Sequence, residues 1–182
     1  TTTGRTAFET DGSTASGATS YLALRGDVVA SPISGSYCIR SAENWWFKVL
    51  VAQQVAPIGG TQEYLLGFIE ALPSATQVDG IYFRSVNAGN WFLVCRNAGS
   101  ESTLDMGAAP TSTLILLEFR ISQDGASIDG YLNNALVGTI TTNIPTNLQA
   151  GPLAMHHNRA ITVTTPGDVR VYGWGWKGDI IA

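Results

Sequence analysis

Hydrophobic residues along this chain fall in short runs separated by Gly, Asn, Asp and Pro, and no run sustains a helical period. Residues 113–121 alternate most cleanly, with Thr113, Ile115, Leu117, Phe119 and Ile121 set against Leu114, Leu116, Glu118 and Arg120, which predicts a strand. Residues 45–53 predict another, with Trp45, Phe47, Val49 and Val51 on one face. Its other face carries Trp46, Lys48, Leu50 and Ala52, so both sides are largely apolar and the strand belongs inside a sheet. Further strands are predicted at residues 21–24, 37–40, 64–72, 81–86, 91–96, 127–132, 136–142, 153–157 and 168–176. The run 64–72 is the most helix-like, but Gly67 and Pro73 oppose so short a helix.

Turn chemistry joins these runs. Asn87-Ala88-Gly89-Asn90 predicts a hairpin, and Gln123-Asp124-Gly125 and Asn133-Asn134 link 113–121, 127–132 and 136–142 into a meander. Further turns are predicted at Pro57-Ile58-Gly59-Gly60 and Pro166-Gly167. This many strands favours two packed sheets over one open sheet. Residues 1–20 are rich in Thr, Ser, Gly and Ala, with Phe8 the only large apolar side chain. They read as an N-terminal arm or loosely held first strand that gains order from a neighbour, ahead of one β-sandwich domain at 21–182.

Composition supports this reading. A chain of 182 residues is within reach of one core, and charged residues make up 13% against 45% hydrophobic. Thr, Ser, Asn, Gln and Gly take the place of the missing charges and suit strands and turns. A net charge of −4 with only 10 Lys and Arg gives no broad positive field for phosphates, so nucleic acid is not an expected partner. No apolar stretch is long enough to span a bilayer as a helix, and the start has neither the basic nor the apolar region of a signal peptide; a mature chain that had lost its signal would look the same. Low charge gives little self-repulsion, which points to a homo-oligomer or another assembly. Cys38 and Cys95 lie in strand-like runs without metal-ligand spacing and are expected as buried free thiols, with a disulfide left open.

The stretch LLEFRISQDGASIDGYLNNALVGTITTNIPTNLQAGPLAMHH, followed by DVRVYGWGW, carries a family pattern. A strand ends at Asp124-Gly125, the next at Asn133-Asn134, a Thr-rich strand follows, TNIP leads to GPLAM, and the last strand returns through Val169 and Val171. This resembles the C-terminal half of concanavalin A-like lectin/glucanase jelly rolls as they occur in bacteriophage structural proteins. The resemblance implies an all-β, two-sheet antiparallel jelly-roll sandwich. It also implies a virion component, a capsid decoration or a tail or fibre part, with other virion proteins as partners.

Glycoside hydrolases of this fold resemble one another in an E-x-D-x-E strand, whose alternation brings two carboxyl groups about 5–5.5 Å apart. This chain has no such run; Glu63 and Glu70 are an odd seven apart and would face opposite ways. His156 and His157 are neighbours on a strand, cannot share a metal without a bulge, and adjoin Asn158 and Arg159 rather than an acid. Asp11-Gly12 and Asp124-Gly125 are ordinary turns beside a calcium loop. The expectation is therefore no catalytic residues, no metal, no cofactor and no enzyme. Tyr172, Trp174 and Trp176 alternate with Gly173 and Gly175 and form the candidate contact surface, either a platform for sugar rings or a subunit contact. Trp45, Trp46 and Trp91 are expected in the core. Beside the virion role stand two alternatives, a carbohydrate-binding module and a glycan-cleaving enzyme.

Overall fold

The computed structural model describes residues 6–8, 19–23, 38–39, 45–55, 61–69, 79–87, 89–108, 110, 112–145, 148–149, 151–160 and 168–177. Every regular element among them is a strand. In chain order they are β1 (Thr6–Phe8), β2 (Thr19–Ala23), β3 (Cys38–Ile39), β4 (Trp46–Val55), β5 (Thr61–Ile69), β6 (Gly80–Val86) and β7 (Asn90–Asn97). Then follow β8 (Ser100–Ala108), β9 (Ile115–Ile121), β10 (Ile128–Leu132), β11 (Ala135–Ile140), β12 (Leu148–Gln149), β13 (Gly151–Ala160) and β14 (Asp168–Lys177). Sheet A runs β1-β14-β4-β9-β10-β11, sheet B runs β2-β13-β5-β6-β7-β8, and β12 pairs with β3 in a small third sheet. All pairings are antiparallel. The molecule is an all-β two-sheet sandwich with a concanavalin A-like jelly-roll fold.

The turn residues do what their chemistry requires. Asn87 adopts φ 51° in the β6–β7 hairpin, and the Gly89 N–H donates to the Val86 carbonyl at 2.9 Å. Asn133 and Asn134 adopt φ 51° and 68° between β10 and β11, and the Asn133 side chain accepts from the Leu116 N–H at 2.9 Å, tying the turn to β9. The meander β9-β10-β11 lies as predicted, and β4 is an interior strand of sheet A. The run read as 64–72 is a strand set three residues earlier, Thr61–Ile69. The predicted turns at 57–60 and 166–167 lie outside the described residues, as does most of 1–20. Within that segment, β1 pairs with β14 and β2 with β13, at the outer edges of the two sheets.

The core lies between the sheets. Trp45, Phe47, Val49 and Val51 face Leu66, Phe68, Ile81, Phe83, Trp91, Leu93 and Cys95, and Leu117, Phe119 and Ile121 complete the layer. Phe119 sits 5.6 Å from Phe47, 6.0 Å from Phe68 and 5.6 Å from Phe83, ring centre to ring centre, so this residue of sheet A is clasped by strands of sheet B. Such ring pairs contribute about 0.5–1.5 kcal/mol each beyond their buried area. Trp45 and Trp91 are core residues as expected, whereas Trp46 is half-buried on the outer face of sheet A. Cys95 is a buried free thiol, and desolvation pushes its pKa up to about 12; the Cys38 side chain lies outside the description.

Two strands were missed, the two-residue β12 and the longer β8. β8, with the sequence SESTLDMGA, is the edge of sheet B and follows a two-residue turn at Ala98 and Gly99 with φ 50° and 82°. Its polar content hides it, because an edge strand needs only its inward positions apolar, and Leu104 and Met106 supply them.

Candidate functional site

The candidate site begins with a sheet that is apolar on both faces. In sheet B the even positions of β5 and the odd positions of β6 and β7 enter the core. The alternate positions Leu65, Ile69, Tyr82 and Val94 form a second buried cluster on the outer face, with Phe92 packed against it. Register aligns Gly67 with Tyr82 and Tyr82 with Val94, so these groups lie in a row across three strands. A Cβ on Gly67 would come within 2.6 Å of the Ile81 carbonyl and the Tyr82 Cα, and one on Gly80 within 3.0 Å of the Tyr82 ring. Two glycines therefore make the trough in which Tyr82 lies.

Charged side chains gather around that trough. Arg84 Nη1 donates to Glu101 Oε2 at 2.9 Å and Nη2 to Oε1 at 2.7 Å, a two-pronged contact between β6 and β8. Arg96 Nη1 donates to the same Glu101 Oε2 at 3.3 Å, and Arg84 Nε lies 3.9 Å from Glu63 Oε1. Two carboxylates from β5 and β8 thus meet at one guanidinium from β6. Glu63 is fully enclosed, while the side chains of Arg84, Arg96 and Glu101 keep 17%, 18% and 23% exposure, so the cluster opens to solvent through these three. Burial raises the Tyr82 phenol well above its ordinary pKa, and Glu101 and Glu63 add to the rise against Arg84 and Arg96. Burial works against the charge on Arg84, but the hydrogen bonds and charge of Glu101, with Tyr82 and Glu63, outweigh it and raise its pKa.

Of these residues the sequence had marked only Glu63, and paired it with Glu70, which lies outside the described residues. Glu101 escaped because its strand did. The signal was present: Asn-Ala-Gly at 87–89 ends one strand of sheet B, and the same tripeptide recurs at 97–99. His157, which has no acid beside it in sequence, is opposite Glu63 in the β13–β5 register.

The backbone of β14 departs from simple alternation. A bulge between Val171 and Gly173 shifts the register, so position 174 pairs with Val49 and 176 with Phe47, both core residues of β4. Positions 174 and 176 therefore share the register of Val169 and Val171, and Tyr172 is the extra, half-exposed residue at the bulge. The side chains of Trp174 and Trp176 lie outside the description. The described outer face of sheet A instead carries a ladder in which Glu118 accepts from Arg120 at 2.6 Å and meets Lys48 at 3.1 Å. Arg120 stacks over Tyr131 at 4.5 Å, and Thr139 donates to Asp129 at 2.6 Å.

No family model matches the chain, and no curated protein does. Solved structures do match. Alginate lyase A1-II′, a member of polysaccharide lyase family 7, superimposes with a TM-score of 0.56 and 11% identity over 94% of this chain and 82% of that one. The Bacillus licheniformis β-glucanase gives 0.51 and 13% over 78% and 69%. A sialidase gives 0.48 and 10%, and there the chain spans only 14% of the larger protein. The fold is one shared with polysaccharide-processing jelly rolls.

These likenesses correct two expectations. The reading of a protein without enzymatic function is corrected as far as the fold goes, since alginate lyases and a β-glucanase, which are enzymes, share this fold. It rested on the lack of paired acids along one strand, whereas the fold draws Glu63 and Glu101 together from two strands. The bacteriophage reading, capsid decoration or tail fibre, fails too, since the matched structures lend no support to a virion protein or to virion partners. The family pattern on which it rested is a pattern of strands and turns, and these specify the jelly roll without specifying its owner.

Proposed function

We propose that this chain binds polysaccharide on the outer face of sheet B, with Tyr82, Glu63, Arg84, Arg96 and Glu101 as the polar centre of the site. The observation that carries the reading is an enclosed charged cluster on a sheet face that the interlayer core does not use. Arg84, Arg96 and Glu101, with side chains 17%, 18% and 23% exposed, offer fixed donors and an acceptor that orient a sugar, and half-buried Phe92 lies beside the buried apolar cluster. The likeness to alginate lyases and a β-glucanase supports the ligand class.

Binding to a panel of neutral and acidic polysaccharides, followed by affinity electrophoresis, tests it. At least one polymer should be retarded, and the Arg84→Ala protein should lose that retardation while still unfolding cooperatively. Loss of binding in Trp174→Ala or Trp176→Ala, with Arg84→Ala unaffected, would move the site to β14 and overturn the proposal.

A second reading, cleavage, is favoured by one observation. Two carboxylates flank a single guanidinium, and Tyr82, its phenol held neutral by burial, stands on the same sheet face, which puts a proton donor and proton acceptors on one face. Release of new chain ends from the bound polymer, abolished in Tyr82→Phe, is the expected result.

A further inference from the structure

The Arg84–Glu101 contact has the geometry with which arginine grips a carboxylate of any origin, two parallel N–H to O bonds at 2.9 and 2.7 Å. Three features separate it from a permanent structural pair. Glu101 stands on an edge strand, two residues after the turn residue Gly99, although its neighbour Ser102 is bonded to Thr142 and Asn143. The side chains of Arg84 and Glu101 both reach solvent, unlike Glu63, which is sealed in. Arg96 Nε is buried and has no hydrogen-bond partner among the described residues, so one donor of the arginines that hold Glu101 is left over while Glu101 is in place.

We propose that Glu101 is an internal stand-in for a ligand carboxylate, and that the site takes an acidic saccharide whose carboxylate displaces Glu101 from Arg84 and Arg96. The inference rests on the saccharide reading of this face and names the charge of the ligand. Charge balance favours the exchange. With Glu101 docked, two arginines face two glutamates and the cluster is neutral; with Glu101 swung out it carries one uncompensated positive charge. An incoming carboxylate restores the balance bond for bond, and a sugar ring oxygen or hydroxyl meets the spare Arg96 Nε. A neutral saccharide offers nothing to replace the lost ion pair, so it leaves Glu101 docked. The pair thus screens the site against neutral polymers, because they would have to break it without repayment.

Isothermal titration with an oligogalacturonate and with its neutral methyl ester tests the exchange. The wild-type protein should prefer the acid form by about tenfold or more, equivalent to about 1.4 kcal/mol. Glu101→Gln removes the competitor and should tighten the acid form by about a further tenfold, with the ester changed less than about twofold. Glu101→Asp, which keeps the charge but shortens the reach, should fall between, and it serves should the Gln protein not fold. Unchanged or weaker binding of the acid form by a folded Glu101 variant overturns the proposal. Equal wild-type affinity for acid and ester also overturns it and leaves the saccharide site standing. Binding of some other polymer but neither oligomer does the same, whereas no binding to any polysaccharide brings down both readings.

Discussion

On the outer face of sheet A, Glu118 is held by Lys48 and Arg120, whose side chains are 38% and 53% exposed; on the outer face of sheet B, Glu101 is held by Arg84 and Arg96, which are 17% and 18% exposed. The ion pairs are chemically alike, but water reaches the cations of the first and is largely kept from those of the second. Glu118 is itself only 3% exposed, but its cations stand in solvent, and screening there holds the sheet A pairs to about 1 kcal/mol or less each, so the ladder is a coat solvated on its cationic side. Enclosed charges interact more strongly and must be desolvated to be held at all, a burden that folds retain where the charges serve something. The difference between the two faces is thus one of depth, and the glycines beneath them set that depth.

The largest expected effect tests those glycines. Gly67 has φ 150°, and a Cβ there would press on backbone atoms at 2.6 Å, so neither neighbour can yield. Gly67→Ala should destabilise by about 3 kcal/mol or more in denaturant unfolding. On sheet A, a Cβ at Gly175 would meet only the far end of the Trp46 ring, at 3.3 Å. Gly175→Ala should cost under about 1 kcal/mol, and equal losses at the two sites would erase the distinction between a trough and a coat.

Removing an arginine from each face comes next. Arg84→Ala strips the enclosed Glu63 of its cation and leaves the part-exposed Glu101 only Arg96, and should destabilise by about 2 kcal/mol. Arg120→Ala leaves Glu118 its contact with Lys48 and should cost about 0.5 kcal/mol. The ratio between the two, measured in the same buffer with and without salt, sharpens the comparison, because only the sheet A pair should fade as salt rises.

The faces should also fail at opposite ends of the pH scale. Burial alone would raise the pKa of Glu118, but hydrogen bonds from Arg120 and Lys48 and their charges hold it below the ordinary range. Its contribution is complete above the unfolded value of about 4.3 and is lost as pH falls toward the folded one. Tyr82 is the reverse: desolvation raises its pKa, so its contribution is complete below about pH 10 and lost as pH rises beyond it. Glu118→Gln should flatten only the acid limb of stability against pH and Tyr82→Phe only the alkaline limb. Cys95, buried in the core and pushed up to about 12, adds to the alkaline limb in both proteins and so cancels from the difference.

Much of this was legible in the sequence, and the losses have physical causes. The sandwich, the meander and the core face of β4 follow from alternation and from Asn-rich turns, because burial on one face forces period two whatever the rest of the chain does. Alternation failed where the backbone did not keep count. The bulge at Tyr172 moves 174 and 176 to the other register, and no residue type announces a bulge. The site was invisible for a different reason. Its residues come from β5, β6, β7 and β8, so spacing along the chain has no bearing on their distance, and a search for acids on a single strand could not assemble them.

The smallest expected effect concerns the turn that hid β8. Ala98 adopts φ 50° and Gly99 φ 82°, a two-residue hairpin turn in which both positions are left-handed. Asn97 pairs with Ser100 across it, so the loop can be no longer. Glycine is at ease there, but alanine carries a Cβ into a region that costs an L-residue about 1–2 kcal/mol. Ala98→Asn, which makes an Asn-Gly pair with Asn at the first left-handed position as Asn133 is in the β10–β11 turn, should stabilise by about 0.5–1 kcal/mol, read as a rise of about 1–4 °C in Tm. A stiffer turn also holds the start of β8, and with it Glu101, closer to Arg84. The same substitution should therefore weaken binding of an acidic oligosaccharide slightly while it raises Tm, and a gain in both would place the turn outside the motion by which Glu101 gives way.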